Sequence, residues 1–125
     1  MSIFGGLDIL PVERAVKIGK KTYKMQFNMA TLARSEQLYA VEYNRDVNAQ
    51  KILGELVMAK SSALMAIVYC AMLEGGAVMT WDDFCDKFTS RDFDPLFDAA
   101  IECVTQMVRS RDDTDEDADE EPEKN

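Results

Sequence analysis

The sequence predicts a mainly α fold: a small helical domain that carries an N-terminal β-hairpin and is followed by a disordered acidic C-terminal tail. Three observations lead there. Apolar residues alternate with polar ones between Val12 and Phe27, and from Met29 onward they recur at helical spacing. From Asp112 to Asn125 the chain carries nine carboxylates against one lysine, about −8 of its net charge of −9. The preceding part, with fourteen acids and thirteen bases, is close to neutral and holds every aromatic residue. Residues 1–11 therefore read as an N-terminal arm, 12–111 as a single domain of ordinary size, and 112–125 as the tail.

Within the first region Val16 and Ile18 flank Lys17. Gly19-Lys20-Lys21 reads as a turn, and Tyr23, Met25 and Phe27 alternate with Lys24 and Gln26. Such a hairpin has one apolar and one basic face, and the apolar face needs helices to cover it because an isolated hairpin is marginal in water. The basic face reads first as a solvated one and second as a site for an anion or an acidic partner.

Asn28 is suited to cap a helix over Met29–Tyr39, since its side-chain oxygen can accept free first-turn amides. On that helix Leu32, Ser35, Glu36 and Tyr39 share a face, with Glu36 expected at a rim or in an ion pair. Tyr43–Asp46 is a polar connection. Asn48 can cap a second helix whose stripe, Ile52, Leu53, Leu56 and Val57, widens through Leu64, Met65, Ile67, Val68, Tyr69, Met72 and Leu73 into the central, most buried segment. Gly75 and Gly76 supply a left-handed stop. Thr80-Trp81-Asp82-Asp83 opens a short helix ending near Thr89, with Met79 placed to staple onto Phe84. Asp94-Pro95 is expected to start the last helix, which turns Phe97, Ile101, Val104 and Val108 to one side. The tail offers too little apolar area to offset its ordering entropy, hence the expected disorder.

Composition narrows the function classes. The chain has no histidine, the commonest acid–base side chain and metal ligand near neutral pH. Cys70, Cys85 and Cys103 are scattered through apolar runs without a CxxC pair, which suggests reduced core thiols in a reducing compartment. Asp92, Asp94 and Asp98 lack the glycine and glutamate spacing of a calcium loop, and helix capping accounts for them. No phosphate loop or nucleophile elbow is visible. No cofactor and no catalysis are expected. The dispersed cations argue against nucleic acid, and the N-terminus has no signal-peptide pattern. The apolar stretch Ile52–Leu73 is interrupted by Glu55, Lys60, Ser61 and Ser62, so no membrane span is expected. What remains is a methionine-rich helical body, and methionine fills irregular cores or lines adaptable binding surfaces. The candidate partner-binding residues are Tyr39, Met65, Tyr69, Met72, Trp81 and Phe84, with core and groove not separable among them.

The order of elements, a hairpin ending in Tyr23-Lys24-Met25-Gln26-Phe27-Asn28, the helix Met29–Tyr39, the central Met65–Leu73, the Met79–Phe84 start and a last helix from Pro95, resembles the tail assembly chaperones of long-tailed, siphovirus-type bacteriophages. The likeness covers roughly residues 12 to 110 and rests on apolar patterns rather than invariant chemistry. It implies a mostly helical, non-catalytic protein that binds the tape measure protein and helps recruit tail tube protein. The same resemblance places it in the cytoplasm of the bacterial host and outside the mature virion. An acidic tail would keep such a body soluble and make copies repel, while a homo-oligomer is compatible with the same composition. The alternative class is an acidic inhibitor or nucleic-acid mimic of the anti-restriction type, which would spread its charge over a folded face. The family also often makes a longer product by a backward slip of one nucleotide. Glu123-Lys124-Asn125 can be encoded by a slippery run of adenines, so a longer frameshifted form of the chain is a further expected partner.

Overall fold

A computed structural model describes the backbone of residues 11–119 and the side chains of residues 11–107. Strand β1 (Val12–Ile18) pairs antiparallel with β2 (Lys21–Phe27), from Val12 opposite Phe27 to Ile18 opposite Lys21. The loop is therefore two residues, Gly19-Lys20, with Lys21 already in the strand. Gly19 has φ 64°, and a positive angle at the first of two loop positions is the II′ arrangement that matches strand twist. The predicted alternation holds: Val16, Ile18, Met25 and Phe27 are buried while Lys17 and Lys24 face out.

Helix α1 (Met29–Glu42) starts at Asn28, whose Oδ1 accepts the Thr31 N–H at 3.0 Å while Thr31 Oγ1 accepts the Asn28 N–H at 3.2 Å. This reciprocal box satisfies two amides the helix cannot pair itself. The helix runs three residues past the expected end at Tyr39, and Asn44, at φ 55°, turns the chain away.

The single helix expected from Asn48 to Leu73 is two helices, α2 (Ala49–Val57) and α3 (Ser61–Glu74), at 119° to each other. The break is a Schellman stop. The Ala59 N–H donates to the Leu56 carbonyl at 2.8 Å and the Lys60 N–H to the Glu55 carbonyl at 3.1 Å, with Ala59 left-handed at φ 61°. No glycine or proline marks it, which is why apolar periodicity runs straight through. A second Schellman stop ends α3: Gly76, at φ 106°, donates to Leu73, and Ala77 to Met72. Here the expected glycine pair is where the chain turns.

Helix α3 is the axis of the fold, packed against β2, α1, α2, α4 (Trp81–Lys87) and α5 (Ser90–Asp119). Nine of its residues, from Ala63 to Met72, are buried, which is the physical content of its all-round apolar sequence. Strand β1 lies on α5 and β2 on α3, so the hairpin's apolar face is covered. No single helix among the described residues is long and apolar enough to cross a membrane.

The last helix corrects one expectation. It starts at Ser90 rather than at Pro95, because Asp92 Oδ2 accepts both the N–H and the hydroxyl of Thr89 at 3.1 Å and so closes the first turn earlier. Pro95 then falls inside the helix, where it has no N–H to give to the Arg91 carbonyl. The backbone of the helix runs on to Asp119, across the first eight residues of the acidic tail. Neither glycine nor proline interrupts Asp112–Asp119, and propagation adds one backbone hydrogen bond per residue. The remaining six residues of the tail and the N-terminal arm up to Leu10 lie outside the described residues.

Candidate functional site: a groove between α1, α3 and α4

Because α1 crosses α3 and the chain returns over it at Thr80, the three elements leave an open groove of about 400 Å³. Its floor is apolar: Leu38 and Val41 from α1, Tyr69 and Leu73 from α3, and Trp81 at the start of α4. Arg34 and Glu74 form an ion pair beside it, and Glu42 lies at its rim. Thr80 Oγ1 accepts the Asp83 N–H at 3.1 Å, the cap that fixes where α4, and with it Trp81, begins.

The six candidate residues separate cleanly. Tyr39, Met72 and Phe84 are at most 1% exposed and belong to the core. Tyr69 and Trp81 line the groove, and Met65 is half-buried outside its lining. Phe84 supports the groove from beneath, with its ring 5.8 Å from Trp81 and 5.4 Å from Tyr69. The Tyr69 hydroxyl donates to the Met79 carbonyl at 2.7 Å, which ties the incoming loop to α3. An unbroken chain of ring contacts runs from Tyr39 through Tyr43 and Trp81 to Phe84 and Phe88. Each edge-to-face or stacked pair contributes ~0.5–1.5 kcal/mol beyond area burial, so the groove wall is stiff.

The groove residues that sequence reasoning missed are Leu38, Val41 and Leu73. Val41 falls outside a helix that is expected to stop at Tyr39. With the helix continued, Arg34, Leu38 and Val41 lie on one face by the i, i+4, i+7 rule, which was the available signal.

A polar cluster sets the corner that supports this wall. Glu55 is 4% exposed. Its Oε2 accepts from Arg45 at 2.6 Å and its Oε1 from Arg45 at 3.0 Å and from the Tyr39 hydroxyl at 3.1 Å. The Arg45 guanidinium also sits 5.3 Å from the Tyr39 ring centre. The hydrogen bonds from Arg45 hold the Glu55 carboxyl at about 2. Burial, reinforced by Glu55, pushes the Tyr39 phenol up to about 12, and burial likewise raises Tyr43, whose hydroxyl donates to the Ser62 carbonyl at 3.0 Å. Glu36, expected at a rim or in an ion pair, is half-buried and helps to start α2. Its carboxylate accepts the Ala49 N–H at 2.7 Å and so caps that helix alongside Asn48.

Burial pushes the Cys70 thiol up to about 11, and Cys85 and Cys103 are also raised by burial, so all three stay protonated and poorly nucleophilic at neutral pH. Among the described residues no three acidic, cysteine or histidine side chains converge to hold a metal. No protein-family model matches the chain, and no curated protein or solved structure matches it significantly.

Proposed function

We propose that this protein is a non-catalytic binding protein whose α1–α3–α4 groove holds an apolar helical segment of a larger partner. The observation that carries the proposal is the open apolar floor of Leu38, Val41, Tyr69, Leu73 and Trp81 on a wall stiffened by stacked aromatic rings. A groove of this shape suits helix-in-groove recognition, in which residues at i, i+3 and i+4 of the partner supply the anchors. Taken with the order of elements in the sequence, the client we propose is the tape measure protein of a long-tailed bacteriophage. The chaperone would cover its apolar stretches in the host cytoplasm while tail tube protein is recruited.

The test is co-expression with the tape measure protein of the same phage. Co-purification and a gain in that partner's solubility are the expected results. Val41 is 77% exposed, so Val41→Glu places a charge on the groove without touching the core, and it is expected to lower co-purification at least ~10-fold while leaving thermal unfolding unchanged. Equal capture by both chains would remove the groove from the binding surface. Failure of wild type to bind, together with tight binding to a DNA-handling enzyme, would favour an acidic inhibitor instead.

A further inference from the structure

The hairpin turn and the start of α5 enclose a second cavity, of about 410 Å³, on which three cations converge: Lys20 from the turn, Lys87 from the end of α4 and Arg91 from the first turn of α5. All three are exposed, and among the described residues none takes part in an ion pair. The one carboxylate of the lining, Asp92, is engaged by Thr89 at the helix start. The cleft thus sets three cations against one carboxylate and keeps a net positive charge.

The opposite charge sits at the far end of the same helix. Six of the nine carboxylates after Arg111 lie on Asp112–Asp119, the last eight residues of α5. At a rise of about 1.5 Å per residue, Asp112 stands ~33 Å and Asp119 ~44 Å along the axis from Ser90. The six residues that follow span at most ~20 Å even when fully extended. Held in the helix, the backbone of Asp112–Asp119 thus points away from the cleft of its own chain.

We propose that the cleft formed by Lys20, Lys87 and Arg91 receives the acidic end of α5 from a second copy of this chain, so that copies associate head to tail. Tails placed side by side repel, and the head-to-tail arrangement is the one that sets acid against base. Such a contact is heterologous, since each copy offers a cleft at one end and a tail at the other, and it propagates beyond two copies. Exposed charge pairs are individually weak and screened by salt, so the association is weak at physiological ionic strength and strengthens as salt is lowered. The proposal is independent of the groove.

Sedimentation of three full-length chains tests it. One is wild type. The cleft variant carries Lys20→Glu, Lys87→Glu and Arg91→Glu. The tail variant carries Asp→Asn at Asp112, Asp113, Asp115, Asp117 and Asp119 with Glu→Gln at Glu116, Glu120, Glu121 and Glu123. Wild type is expected to self-associate with concentration, at least ~10-fold more weakly in about 500 mM than in about 20 mM salt. Each variant alone is expected to remain monomeric. Mixed in equal amounts they should form dimers that grow no further, because only one cleft and one tail remain. Monomeric wild type at low salt, undiminished association of the cleft variant, or no dimers in the mixture would each overturn the proposal. As a check that needs no variant to fold, a peptide of residues 112–125 should shift the amide resonances of Lys20 and Arg91 in wild type. Shifts produced by a DNA oligonucleotide but not by this peptide would assign the cleft to nucleic acid instead.

Discussion

Helices α2 and α3 end in the same hydrogen-bonded stop, yet α2 puts alanine at the left-handed position and α3 puts glycine there. The two solutions differ in what holds them. Gly76 adopts its φ of 106° without a side chain to oppose it. At Ala59 the Cβ costs about 1–2 kcal/mol in the left-handed region, so something outside the turn must hold it. Glu55 does so: its backbone carbonyl accepts the Lys60 N–H of the stop, and its side chain is pinned by Arg45 and Tyr39. One stop is therefore local and the other tertiary.

The strongest way to break the local stop is at Gly75, not at the left-handed residue itself. A Cβ at Gly75 would lie 2.1 Å from the Lys24 carbonyl oxygen and 2.8 Å from its carbon. Those are backbone atoms of the central part of β2, and they cannot swing aside like a side chain. Gly75→Ala is expected to cost about 3 kcal/mol or more by forcing the hairpin off α3. Chemical denaturation would measure it, and a loss below ~1 kcal/mol would mean that the strand yields easily.

Breaking the tertiary stop requires Glu55→Gln, which removes the charge that engages Arg45 while keeping the shape. A loss of about 1–3 kcal/mol is expected at neutral pH, the usual range when a buried polar group loses its partner. The pH dependence separates this from simple misfit. The folded carboxyl sits at about 2, below its ordinary value of 4.5, so its contribution is fully present above the unfolded value and is lost as pH falls toward 2. The gap in stability between wild type and Glu55→Gln should therefore shrink between about pH 5 and pH 2. A gap constant across that window would assign the effect to packing.

These contrasts also explain what is legible in the sequence. Asn28, Gly76 and Thr80 are legible because each acts through its own backbone neighbourhood, where residue type reports conformation directly. The break at Ala59 is not, since alanine is the strongest helix former and only Glu55 in an apolar stripe and Arg45 in a distant loop point to it. The start of α5 is easily misplaced because Asp94-Pro95 is a strong signal, yet Thr89-x-x-Asp92 closes a turn first. The groove is half legible: Tyr69 and Trp81 stand out, but telling them from the buried Tyr39, Met72 and Phe84 depends on how α1 crosses α3, which no periodicity encodes. Gly75 reads as part of a turn, while its missing Cβ serves to admit a strand from about fifty residues earlier in the chain.

A milder break at the local stop is Gly76→Ala, which adds a Cβ where nothing lies within 4 Å and so tests conformation alone. The expected loss is about 1–2 kcal/mol, the left-handed penalty by itself. If the loss matched that of Gly75→Ala, the clash with Lys24 would carry no weight of its own.

The smallest effect has the opposite sign. Ala59→Gly relieves the left-handed penalty at the tertiary stop, but glycine also gives the unfolded chain more freedom, which takes back part of the gain. The net expectation is a stabilisation of about 0.5–1 kcal/mol, or a rise of a few degrees in the thermal midpoint for a domain of this size. Coupling to Glu55 makes the outcome sharper. If the Glu55 cluster is what holds Ala59 left-handed, glycine at 59 needs less holding, and Glu55→Gln should cost less in the Ala59→Gly background than in wild type. A double-mutant cycle reads that difference directly. Strict additivity would mean that the turn and the buried carboxylate are independent, and that the break between α2 and α3 is held by packing of α3 alone.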